Sequence, residues 1–157
     1  MDNYGDKSSN LWITMILGEY KHNLDSKGRL AIPAKFRKKF ESGIIITRGL
    51  DHCLFVFSLK DWEELVKKIT ALPLSQANSR AFSRLMLAGA IDAKLDSQGR
   101  ILIPDYLRQY AELKKQVVLA GLYTRLEIWD AELWKQYKMK TESSSDEIAE
   151  KLAALGI

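Results

Sequence analysis

Apolar and polar positions along the chain change their period several times, and each change marks an element. Tyr20 to Leu24 and Arg29 to Ile32 have the residues of two short paired strands, and Asp25-Ser26-Lys27-Gly28 between them supplies a tight turn. Gly28 tolerates a positive φ, and the Asp and Ser before it can hydrogen-bond the turn's own backbone. Pro33 then stands where a helix accepts its first residue, so a short helix is predicted over Ala34 to Phe40. Phe36 and Phe40 share one face of it, and Lys35, Arg37, Lys38 and Lys39 cover the others. Ser42-Gly43 ends the helix. The β-branched and aromatic runs Ile44 to Thr47 and Leu54 to Phe57 predict a second hairpin across a longer loop. Asp61 is predicted to cap a helix through Trp62, Leu65, Val66 and Ile69, broken at Pro73, and another helix spans roughly Ser75 to Leu87.

The pattern then repeats. Leu24-Asp-Ser-Lys-Gly-Arg-Leu-Ala-Ile-Pro33 returns as Leu95-Asp-Ser-Gln-Gly-Arg-Ile-Leu-Ile-Pro104, and Gly18, Arg37 and Glu41 recur as Gly89, Arg108 and Glu112. With a one-residue slip, Gly49, Leu50, Leu54 and Trp62 recur as Gly121, Leu122, Leu126 and Trp134. Two copies are too few for a solenoid, so the chain is a duplication. It divides into an extension at 1–17, a first module at 18–88, a second at 89–140, and a polar linker with a short terminal amphipathic helix at 141–157.

Composition narrows the class without changing the elements. Of 157 residues 46% are hydrophobic and 28% charged, the balance of a globular chain. A single cysteine, Cys53, excludes an internal disulfide framework. The one apolar run near the start, Leu11 to Leu17, is too short to span a membrane, and Met1 to Asn10 carries two Asp against one Lys, the wrong flank for a secretory signal. A cytoplasmic protein with no membrane partner is expected. Between Gly18 and Arg48, eight basic residues (Lys21, Lys27, Arg29, Lys35, Arg37, Lys38, Lys39, Arg48) face three acidic ones (Glu19, Asp25, Glu41). From Gly89 to Ala120 five (Lys94, Arg100, Arg108, Lys114, Lys115) face four (Asp92, Asp96, Asp105, Glu112). The first hairpin is therefore expected to hold most of the positive charge, where closely spaced phosphates would reward it.

Catalytic constellations are poor. Asp51-His52-Cys53 invites a nucleophile and base reading, but adjacent strand residues point to opposite faces. Cys53 is expected to be a small buried hydrophobe and His22 a surface strand residue. Two His and one Cys match no structural zinc pattern, and no phosphate-cradling Gly-rich loop is present. No enzyme activity, cofactor, metal or small-molecule substrate is expected. Asp25 with Arg29, and Asp96 with Arg100, carry more. Four residues apart across a turn, each Asp can aim its Arg while leaving some of the five guanidinium donors free. The competing reading of each pair, and the one a single isolated copy favours, is a hairpin staple, an exposed ion pair that contributes about 0–1 kcal/mol.

The doubled Leu-Asp-Ser-x-Gly-Arg-[Leu/Ile]-x-Ile-Pro, followed each time by a short helix with Arg, resembles the MraZ family of bacterial transcriptional regulators, from about Gly18 to the terminal Leu-Gly-Ile157. The resemblance implies an α+β fold of duplicated AbrB-like swapped-hairpin modules with a pseudo-two-fold inside one chain. It further implies a ring-like homo-oligomer, and repression at direct repeats in promoter DNA of the division and cell-wall gene cluster, hence nucleoid association. In that family the Asp-x-x-x-Arg elements contact DNA, here Asp25 with Arg29 and Asp96 with Arg100. Charge and location add Lys21, Lys27, Lys35 and Arg37 as phosphate contacts, and place more of the DNA contact on Arg29 than on Arg100. An oligomeric protein-interaction scaffold without specific DNA binding is the alternative.

Overall fold

The computed structural model describes residues 15–157. Eight strands are present among them: β1 (Ile16–Asn23), β2 (Arg29–Ala31), β3 (Ile44–Arg48), β4 (Leu54–Ser58), β5 (Ile91–Ala93), β6 (Arg100–Leu102), β7 (Gln116–Tyr123) and β8 (Leu126–Asp130). Six form one antiparallel sheet in the order β1-β7-β8-β4-β3-β5, and β2 and β6 form a separate two-stranded ribbon. The helices are α1 (Leu59–Thr70), α2 (Ala77–Ser83), α3 (Asp105–Tyr110), α4 (Ala131–Ser143) and α5 (Ser145–Leu152), with a 3₁₀ helix over Ala34–Phe40. The fold is α+β and internally duplicated.

The strand order is a palindrome of the two copies. β1 of the first copy pairs with β7 of the second, and β5 of the second with β3 of the first. β4 and β8 meet at the centre, with Leu54 opposite Ile128 and Val56 opposite Leu126. This corrects one expectation. Tyr20 to Leu24 and Arg29 to Ile32 do not form a ladder with each other; their contact is confined to the turn, where Asp25 N–H donates to the Arg29 carbonyl at 3.0 Å. Beyond it β2 turns away to pair with β6, and the Ile32 and Ile103 amides donate across copies to the carbonyls of Gly99 and Gly28, both at 2.9 Å. The hairpins are swapped within one chain. β1 also starts at Ile16, which is buried, so residues 16 and 17 belong to the sheet while 1–14 lie outside the described residues.

Strand alternation sends side chains to two cores. Ile44, Ile46, Leu54, Val56, Val117, Leu119, Leu126 and Ile128 face the ribbon and the short helices, where they meet Leu30, Ile32, Phe36, Phe40, Ile101, Ile103 and Leu107. Phe55, Phe57 and Trp129 face the other way, onto Trp62, Leu65, Ile69, Phe82, Met86 and Trp134. Both copies contribute to both cores, so one hydrophobic unit holds the duplication together.

Other boundaries shift for local reasons. The N-cap of α1 is Ser58, not Asp61: Ser58 Oγ accepts the Asp61 N–H at 3.3 Å and donates to the Asp61 carboxylate at 3.0 Å. Asp61 is thus the third helical residue, which places the helix start three residues earlier. The second helix departs from α geometry at Arg84–Ala88, a π-helical turn. There Arg48 Nε donates to the Leu85 carbonyl at 3.1 Å and Thr47 Oγ1 to the Met86 carbonyl at 2.6 Å. At the far end, Thr141 to Ser143 continue α4 rather than forming a linker, and only Ser144 separates it from α5.

Cys53 is fully buried, its Sγ lying 3.2 Å from the Leu50 carbonyl, and burial raises its thiol pKa far above the ordinary value. His52 beside it is exposed with φ of 62° in the loop, so the two form no nucleophile and base pair. A thiol reagent at neutral pH should leave Cys53 unmodified in the native protein and react fully in denaturant, as mass spectrometry would read; rapid native labelling would contradict this burial.

Candidate nucleic-acid interface

Each turn is built around its aspartate. Asp25 Oδ1 accepts the backbone N–H groups of Lys27 and Arg29, both at 2.9 Å, and Oδ2 accepts Arg29 Nε at 2.6 Å. The second copy repeats the set: Asp96 Oδ1 takes the N–H groups of Gln98 and Arg100 at 2.8 and 2.9 Å, and Oδ2 takes Arg100 Nε at 2.8 Å. Gly28 and Gly99 complete the turns with φ of 81° and 75°. The carboxylate is therefore an aiming device. It consumes one of the Arg donors, and the terminal nitrogens of Arg29 have no hydrogen-bond partner among the described residues.

The Arg29 backbone N–H is the largest influence holding the Asp25 carboxyl below its ordinary pKa of 3.8, with the Arg29 side chain and the Lys27 N–H adding to it against an opposing desolvation. Asp96 is lowered in the same way, first by the Arg100 N–H. A carboxyl lowered by folding stabilises the fold above its ordinary value, and the effect is lost as pH falls through the lowered one. Thermal stability should therefore be insensitive to these groups at neutral pH and should fall only below about pH 3.8. Asp25→Asn with Asp96→Asn should flatten that acid limb in melts monitored by circular dichroism, and an unchanged limb would remove both groups from this role.

Pairing of β2 with β6 brings the two turns onto one surface. Arg29 lies opposite Leu102 and Arg100 opposite Ala31, while Leu30 and Ile101 point into the core. Arg100 Nη1 stands 3.8 Å from Asp25 Oδ2, so one aspartate lies between both guanidinium groups. The arginines of the short helices cross over as well. Arg37 packs against Gly99 of the second turn, with its Nε donating to the Ile32 carbonyl at 2.9 Å, and Arg108 packs against Gly28 of the first.

This crossing redistributes charge in a way the linear sequence hides. The first turn borders a recess lined by Asp25, Ser26, Arg108, Lys114 and Lys115, so its basic neighbours come from the second copy. Arg37 of the first copy lies at the second turn. The excess of Lys and Arg in the first copy is therefore no ground for ranking Arg29 above Arg100. Arg108, Lys114 and Lys115 lie some eighty to ninety residues from the turn they flank, so no local pattern gathers them there; the repeat pairing of Arg108 with Arg37 is the signal that points to one of them.

The remaining candidates separate. Lys27 is exposed at the tip of the first turn. Lys35 is exposed, its Nζ 4.9 Å from the centre of the Tyr20 ring. Lys39 is tied to Asp61 at 3.1 Å, and Arg48 is spent on the π-helical turn. Lys21 lies opposite Val118 on β7, on the sheet face away from the ribbon, and lines a second recess with Glu19, Lys114, Lys115, Trp134 and Lys138. It is not gathered with Arg29. Among the described residues no cluster of His, Cys, Asp or Glu could hold a metal ion, and no helix is long and apolar enough to cross a membrane.

Fold and site together define an internally duplicated swapped-hairpin protein that presents two aimed arginines on one ribbon. The family described as "MraZ protein, putative antitoxin-like" matches the chain twice, at residues 15–85 and 86–155. Curated relatives named "Transcriptional regulator MraZ" include those of Halothermothrix orenii, 50% identical over 91% of this chain and 100% of the relative, and Caldanaerobacter subterraneus subsp. tengcongensis, 49% identical over 88% and 96%. That of Carboxydothermus hydrogenoformans is 50% identical over the same shares, 88% and 96%. The chain belongs to the MraZ family.

Proposed function

We propose that this chain is a DNA-binding transcriptional regulator whose recognition face is the β2/β6 ribbon with its two Asp-aimed arginines. The pairing of Arg29 and Arg100 on one two-stranded element carries this reading, because the B-DNA major groove admits such a ribbon and a guanidinium fork matches guanine O6 and N7. Lys27, Lys35, Lys114 and Lys115 neutralise phosphates around it and set register without reading bases, while Arg108 is paired with Asp105. Lys21 serves only DNA that wraps toward the far sheet face. The names of the relatives support a role in transcription.

In its finer form the proposal is repression at direct repeats upstream of the division and cell-wall gene cluster, by a ring-like homo-oligomer. One ribbon is a small reader, and several joined in one assembly and meeting successive repeats would gain affinity through effective concentration. The test is titration of the full chain onto that upstream duplex and onto a scrambled duplex of equal length, at several salt concentrations. Preference for the repeats with a steep decline of affinity in salt is expected. Equal binding to both duplexes, or none to either, would overturn the reading.

A further inference from the structure

We propose that Leu102 reads the C5-methyl group of a thymine in the major groove, as the apolar partner of Arg29 on the recognition ribbon. The inference rests on the DNA-binding reading above and adds a residue to it. Leu30, Ile101, Ile32 and Ile103 all turn inward and are buried, as alternation along β2 and β6 requires. Leu102 turns outward and is 57% exposed. An exposed leucine alone means nothing. This one is the cross-strand neighbour of Arg29 and follows Arg100 by two positions on the same strand face, so it sits among the guanidinium groups.

Cross-strand neighbours have Cβ atoms about 4.5–5.5 Å apart, and stacked bases are about 3.4 Å apart. A guanine held by Arg29 and a thymine touched by Leu102 would therefore lie within about two base pairs of each other. The thymine methyl is the one apolar feature that a base pair presents in the major groove, which fits an aliphatic side chain next to a polar fork. The pseudo-two-fold mate of Leu102 is Ala31, opposite Arg100, and it reaches less far. The ribbon face is therefore unequal at its two ends. Such a face suits a site without internal two-fold symmetry, and successive copies of that site form direct repeats rather than palindromes.

The experiment uses the full chain and a duplex selected by it from a random library. Each thymine in turn is replaced by deoxyuridine, which removes only the methyl group. One thymine per repeat, within about two base pairs of a guanine protected by the parent protein, should lose about three- to fivefold in affinity on replacement, the value of one buried methyl. In Leu102→Ala that loss should vanish, with an unchanged melting curve showing an intact fold. Two outcomes overturn the proposal while leaving DNA binding in place: no thymine is methyl-sensitive, or the sensitivity persists undiminished in Leu102→Ala. If the parent selects no duplex at all, the DNA-binding reading fails and the proposal with it.

Discussion

Alanine at Arg29 or Arg100 is expected to weaken specific DNA binding by about 1–3 kcal/mol per contacted guanine, roughly five- to 150-fold, while leaving fold and assembly unchanged. The double variant should fall to the level of binding shown to scrambled DNA. The reason is geometric. Each guanidinium is held through Nε by a carboxylate that is itself fixed by two backbone N–H groups, so its free donors are directed before DNA arrives. Preorganisation of this kind spares the ordering cost that a free arginine would meet on binding. Because both side chains are about a quarter to a third exposed and outside the core, their removal leaves no cavity. Gel-shift titration with native mass measurement on the same samples would check both halves. Retained binding by the double variant would remove the ribbon from DNA recognition, and a changed mass would make the pair a subunit joint instead.

The largest stability effect should come from Phe36→Ala. Phe36 is 1% exposed, packs edge-to-face on Tyr20 with ring centres 5.2 Å apart, and ties the 3₁₀ helix to β1 and the shared core. Truncating a buried Phe removes its transfer free energy and leaves a cavity, a cost of about 3–5 kcal/mol. Against a typical domain stability of about 5–15 kcal/mol, that is a large share. Since the core joins both copies, loss should appear as a single cooperative transition at lower denaturant, not as unfolding of one half. Two separated transitions would contradict a shared core.

Much of this was legible in the chain. The doubled turn, the short helices after Pro33 and Pro104, the hairpin from Ile44 to Phe57 and the pairing of Asp with Arg all follow from local chemistry, because turn residues, caps and alternation act within a few positions. What was not legible is which strand meets which. β2 and β6 carry the same alternation whether they pair within a copy or between copies, and only the packing of Leu30 against Ile101 decides it. The cap of α1 is hidden for a similar reason, since Ser58 reads equally as a strand end and as an N-cap. Charge placement is equally hidden in the linear sequence. The excess of Lys and Arg over Gly18 to Arg48 is real in sequence, yet the fold spends Arg48 and Lys39 elsewhere, sends Arg37 to the opposite turn, and brings Arg108, Lys114 and Lys115 to the first.

In the proposed function, two turns from different halves of the chain form one reading face. Guanine-methylation protection on a bound repeat, compared for the parent, Arg29→Ala and Arg100→Ala, tests it most directly. Each substitution is expected to lift protection at its own guanine, both guanines lying within a single repeat a few base pairs apart. Loss of protection in different repeats, or an unchanged pattern in both variants, would contradict a shared ribbon at the DNA.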